Sequence, residues 1–202
     1  MEQNDYLSKK QEREMKLQTE QNKKRVLKVA KWAAGLVGVF AVLFGFYKLA
    51  AKPTAPIPGE FFKAQSRDHI KTEAIHDDYN SNPPTGGWHY AQSVQSGIYD
   101  KELPDEQLIH NLEHGHIWIT YKPDLPKEQI DILANIAISY GSKIVMVPRS
   151  ANDAPIALVA WEQLLKLDAV DEQQIKAFID AYRGRGPENV PDSGFKDFRS
   201  GK

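Results

Sequence analysis

All six histidines of this 202-residue chain lie between residues 69 and 116: His69, His76, His89, His110, His114 and His116. The densest stretch is His110-Asn-Leu-Glu113-His114-Gly-His116. Residues four apart on a helix share a face. A helix here therefore aims the His110 and His114 imidazoles at one point, the spacing with which two ring nitrogens grip one cation. Both also stand in the last turn of such a helix, where the negative end of the dipole favours positive charge. His89 follows the Pro83-Pro84-Thr85-Gly86-Gly87 loop, which can bring it alongside, and His69 precedes that loop and can supply a fourth nitrogen. Imidazole ligation suits zinc, copper, nickel or iron. Met146 is the sole methionine after residue 52 and cysteine is absent, which disfavours thioether copper(I) binding and excludes disulfides, thiolate nucleophiles and Cys-based metal sites.

Three classes of function fit this residue set. The first is a metal-binding module, with His69, His89, His110 and His114 around a divalent transition metal, zinc or copper foremost. The second is a zinc hydrolase, because His110 to His114 spells H-x-x-E-H, in which the glutamate is a general base. That motif belongs in mid-helix with a downstream carboxylate ligand, whereas Gly115 ends this helix at once. The third is a structural or adaptor domain in which the histidines only knit loops together. The balance lies against an enzyme. Glu113 keeps three roles: hydrogen-bonding a ligating imidazole, acting as a base, or capping backbone amides of the proline–glycine loop. His76, beside Asp77 and Asp78, reads as a surface residue. His116 opens an alternating strand and can face either side. No nucleotide loop, Ser-His-Asp arrangement or paired-carboxylate motif is present in the sequence.

The elements that must position these side chains follow from period and punctuation. Leu103–His114 reads as a helix with Pro104, Asp105 and Glu106 at its start and Gly115 at its end. His116–Tyr121, Lys143–Val147 and Pro155–Trp161 read as strands, with an amphipathic helix over Pro126–Tyr140. Asp171 can cap a last helix, with Gln174 closing a capping box and Ile175, Phe178, Ile179 and Tyr182 facing the core. A strand-like stretch around His69–Ile75 runs into the Asn80–Gly87 loop. Alternating strands and helices predict an α/β or α+β domain over residues 59–185, with a loose tail over 186–202.

Ahead of this domain, Trp32–Tyr47 contains no charged residue, and counting on to Ala51 gives about twenty residues, the length that crosses a bilayer. Residues 29–51 are predicted as one transmembrane helix, preceded by a charged tail (1–28) and followed by a Pro-rich linker (52–58). Residues 1–52 carry eleven Lys/Arg against five Asp/Glu, and residues 53–202 carry fifteen against twenty-two. Positive flanks stay cytoplasmic, so the expected arrangement is single-pass in the plasma membrane, with the N-terminus inside and the domain extracytoplasmic. The acidic domain argues against nucleic-acid binding. Small residues at Ala34, Gly38, Ala41 and Gly45 suit weak homo-oligomerisation through the helix.

The segments PPTGGWH, HNLEHGH with the following ITY, and APIALVAW with FIDAYRGRGPE resemble a bacterial family of membrane-anchored proteins known only as a domain of unknown function. The similarity runs from about Ile57 to Glu188. That family's pattern has a histidine in a short RDH-type stretch, another after PPTSG, and two in HNLEHG; these match His69, His89, His110 and His114 here. Gly86 stands where the pattern has serine, so a hydroxyl contact is lost. The resemblance implies a shared His-rich site and extracytoplasmic placement, and supplies no reaction.

Overall fold

The computed structural model describes residues 2–50 and 56–199, as two compact units, Met1–Ala55 and Pro56–Lys202. The first unit is one continuous helix, α1 (Glu2–Ala50), so the charged tail and the apolar segment are not separated by a break. Within it, Met15–Phe46 is long and apolar enough to cross a membrane, by length and composition. Trp32, Val37, Phe40 and Phe46 are all exposed along it. Ala51 and most of the expected linker lie outside the described residues.

The second unit is built on a seven-stranded mixed sheet. Its strands are β1 (Glu60–Phe61), β4 (Gly97–Ile98), β5 (Ile117–Tyr121), β6 (Ile144–Pro148), β7 (Ile156–Ala160), β8 (Gln163–Leu167) and β9 (Lys196–Asp197), in the order β1-β8-β7-β5-β6-β4-β9. β5 and β6 are parallel neighbours joined through α3 (Lys127–Tyr140), while β7 runs antiparallel to β5 and to β8. Strand residues alternate between two buried faces. Ile117, Ile119, Ile144, Met146 and Leu158 pack with α3 and with α4 (Glu172–Tyr182). Trp118, Val145, Val147 and Val159 pack on the other side against Leu108 and Leu112 of α2 (Asp105–Glu113) and against Phe62, Val94 and Leu103. The domain is therefore three-layered, with α2 and irregular chain covering the second face.

Asp171 caps α4 as expected, accepting from Gln174 N at 3.0 Å, although the Gln174 side chain bonds the Asp171 carboxylate rather than its backbone. Three segments differ from the sequence expectation. The strand at His69 stops at Ile70, because the chain turns through Glu73 (φ 64°) and Ile75 is fully exposed. β8 has no turn signal in the sequence, because β7 and β8 are joined by Trp161-Glu162, with Glu162 at φ 61° in place of a glycine or asparagine. Residues 186–199, expected as a loose tail, are packed. Asp192 accepts from Ser96 Oγ (2.8 Å) and Lys143 N (2.8 Å), β9 pairs with β4, and Phe198 stacks on Tyr99.

A candidate metal centre

One ladder of two residue pairs and one buried helix build the site. The short strand β2 (His69–Ile70) pairs in parallel with β3 (His89–Tyr90), and the register places His69 directly beside His89. The loop before β3 is fixed by hydrogen bonds: Glu162 N donates to Thr85 O at 2.9 Å, and Tyr79 Oη donates to Trp88 O at 2.7 Å. Gly87 takes φ 137°, and a Cβ there would meet the Tyr79 ring at 2.9 Å, so only glycine allows this turn. At Gly86 a Cβ would come 2.9 Å from the Ala64 methyl, so residue 64 fills the space that a serine would need.

α2 is buried from Leu108 to Glu113 although half of that stretch is polar, because each polar side chain has a defined partner. Asn111 clamps the loop at Val94, accepting from its N at 2.9 Å and donating to its O at 2.8 Å. His110 Nδ1 donates to Tyr90 O at 2.6 Å. Glu113 is 1% exposed and is reached from outside by Arg67 Nε at 2.9 Å. The helix ends there, with His114 as its C-cap and Gly115 at φ 77°.

The structure brings His69, His89 and His110 together, with one ring nitrogen of each within 4.8 Å of the others. His69 and His110 are stacked (5.0 Å, 2°), and His89 stands edge-on to both. His114 joins through His110, their Nε2 atoms 3.0 Å apart. All four histidines singled out by the sequence thus lie in one cluster. His76 does not; its ring bonds Asp77 O and Glu106. His116 faces inward elsewhere, with Nδ1 donating to Asn111 O and Nε2 3.6 Å from Asp192. Two contributors fall outside the helical and loop spacing that singled out the histidines, although Arg67 opens the RDH-type stretch and Glu188 closes FIDAYRGRGPE. Glu188 Oε2 is 3.5 Å from His114 Nε2, and Arg67 bridges Glu113 to Glu188 (3.6 Å). Of the roles open to Glu113, the geometry selects contact with imidazole: Oε2 lies 3.0 Å from His89 Nε2 and 3.8 Å from His69 Nε2. Beside His69 opens a cleft of about 700 Å³, also lined by Lys71, Tyr90, Gln92 and Gln107.

Protonation follows from these partners. A carbonyl only accepts, so the contact to Gly87 O (2.7 Å) puts a proton on His89 Nδ1, and Tyr90 O does the same for His110. Both rings therefore turn Nε2 toward the cluster, as ligating imidazoles oriented by a backbone carbonyl do. Burial lowers the pKa of His110 and of His114, leaving them neutral at pH 7. For Glu113, burial pushes the carboxyl up, but the Arg67 hydrogen bond and the His89 and Arg67 charges outweigh it, so it is held as a carboxylate.

His116 gives a separate expectation. Burial pushes its imidazole down to about 4, against the pull of Asp192. Between pH 6.5 and 4 the unfolded chain binds a proton here that the folded chain does not, so stability falls as pH falls through that window. The loss amounts to roughly 3 kcal/mol. Urea unfolding of the full chain in detergent at pH 7 and pH 4 should show a smaller acid loss in His116→Gln than in wild type. Equal losses in the two would contradict this assignment.

Residues 69–194 match the family described as protein of unknown function (DUF3105). The chain belongs to the DUF3105 family. The matched span holds all four clustered histidines, Glu113 and Glu188, but not Arg67 or α1. Comparisons with curated proteins and with solved structures find no match for this DUF3105 protein.

Proposed function

We propose that this DUF3105 domain holds divalent transition metal through His69, His89, His110 and His114, as an extracytoplasmic module anchored by α1 with its N-terminus in the cytoplasm. The observation that carries the reading is the convergence of three imidazole nitrogens within 4.8 Å from three separate segments. Two contacts add to it. A neutral imidazole nitrogen facing a carboxylate, or another such nitrogen, at 3.0 Å repels it unless a cation lies between; a proton serves in the metal-free protein, and a metal ion can replace it. Tetrahedral ligation at about 2.1 Å sets nitrogens roughly 3.4 Å apart, so binding draws neighbouring donors of the cluster toward that spacing. Zinc and copper(II) suit imidazole with carboxylate. The anchor and its orientation are supported by the exposed apolar face of α1 and by the basic flank of the apolar run.

The test is thermal unfolding of the full chain in detergent, stripped with chelator and then titrated with zinc or copper(II). Metal that binds only the folded state at a hundredfold excess over Kd adds about 3 kcal/mol. His110→Ala and His114→Ala should each cut the metal-dependent shift well below the wild-type value, while His76→Ala, outside the cluster, should retain it in full. A wild-type melt indifferent to metal and chelator rejects the reading.

A further inference from the structure

The geometry points to a centre for two metal ions, each held by two histidines and one carboxylate: His69, His89 and Glu113 for one, and His110, His114 and Glu188 for the other. This rests on the reading that the cluster binds metal, and it adds the carboxylates and the stoichiometry. In the first half-site His69 and His89 are cross-strand neighbours, and Glu113 Oε2 lies 3.8 and 3.0 Å from their Nε2 atoms. In the second, His110 and His114 Nε2 are 3.0 Å apart and Glu188 Oε2 is 3.5 Å from His114. These separations are close to those between neighbouring donors around one transition metal, roughly 3–3.5 Å. The single nitrogen that His110 turns inward can serve one ion only, so the four imidazoles and two carboxylates divide more evenly between two ions than around one.

Arg67 completes the symmetry. Its guanidinium holds the outer oxygen of each carboxylate, Glu113 Oε1 at 2.9 Å and Glu188 Oε1 at 3.6 Å, and leaves each inner oxygen facing histidine. Ligating carboxylates are commonly fixed through the second oxygen, here by a hydrogen bond for Glu113 and by an ion pair alone for Glu188. Glu188 is delivered by backbone contact: its N donates to Glu113 O at 3.0 Å, so it is tied to the helix that carries three of the other donors. Two histidines and one carboxylate per ion leave coordination positions open, the arrangement that reactive rather than sealed sites use. The cleft beside His69 gives the first half-site access to solvent.

Chelator-stripped full chain in detergent is loaded with cobalt(II), desalted, and assayed for bound metal by mass spectrometry and for cobalt ligand-field absorption. Wild type should retain about two equivalents and Glu188→Gln about one, with loss of part of the absorption. Glu188 has a 43% exposed side chain, so this variant should fold, and an unchanged circular dichroism spectrum verifies it. A single equivalent in wild type, or two retained in Glu188→Gln, overturns the two-ion assignment while leaving metal binding intact. No retained metal overturns both.

Discussion

Gly186→Ala is expected to destabilise the domain by about 3 kcal/mol, at the upper end of overpacking effects, and to abolish metal retention at the second half-site. A Cβ at residue 186 would fall on Glu113 O and Gly115 N, with Glu113 C at 2.8 Å. All of these are backbone atoms, so no rotamer change relieves the clash. The 184–188 segment lies directly on the end of α2, with Gly184 N donating to Gly115 O at 2.7 Å and Glu188 N to Glu113 O at 3.0 Å. Pushing the two apart removes Glu188 from His114 and Arg67 and disturbs Glu113 and His114 together. The unfolding temperature should fall by roughly 6–12 °C, given the usual sensitivity of a domain this size. Gly184→Ala is the comparison: it has open space and suffers only from φ 77°, at about 1 kcal/mol. Equal shifts for the two variants would show that backbone abutment is not what residue 186 provides.

Arg149→Ala should have an effect of similar size, about 3 kcal/mol, by breaking a largely buried ion pair from one side. Arg149 is 9% exposed, and its guanidinium makes a two-pronged contact with Asp105, the first residue of α2 (2.8 and 2.7 Å). It also donates to Asn82 Oδ1 at 2.7 Å and Asn152 Oδ1 at 3.1 Å, and lies over the Trp118 ring. One side chain thus ties the end of β6 to the start of α2 and to the loop that leads to His89. Arg149→Lys keeps the charge but not the fork, so it should recover only part of the stability. Because both tied elements carry donors, cobalt affinity in Arg149→Ala should fall by at least about tenfold. Urea unfolding and metal titration measure the two effects separately. A stable variant with reduced affinity would show that Arg149 acts only through the site.

The parts of the fold that were legible in the sequence are those where local signals and tertiary packing agree. α4 carries an apolar face at helical period and its own Asp171 cap, and α2 has a proline start and a glycine stop. The hairpin strand β8 escaped because its turn uses Trp161-Glu162; Glu162 is held by tertiary contact, its Oε1 accepting from Ala64 N at 2.8 Å. Residues 186–199 escaped because polar contacts such as those of Asp192 hold them, and these leave no hydrophobic period. For the site, helical spacing linked His110 to His114, and position around the proline–glycine loop suggested His89 and His69. Arg67 and Glu188 could not be found that way. A charged residue in a loop is ordinarily solvated, and only the folded chain shows that these two meet across Glu113.

The irregular layer over the second sheet face has a kinetic consequence. Between residues 62 and 94 it offers only two-residue strands, and side chains hold it down: Asn82 to Arg149, Arg67 to Glu113, and Asn111 to the backbone of Val94. Such a layer opens as a sub-global unit at lower free energy than the sheet beneath it. His69 and His89 belong to this layer, while His110 and His114 belong to the helix under it. An ion held by His69 and His89 together with Glu113 of that helix would be a rivet through the seam, formed only after the layer has closed. It would therefore slow peeling far more than it speeds folding, and the lifetime of the closed layer would become a readout of available metal.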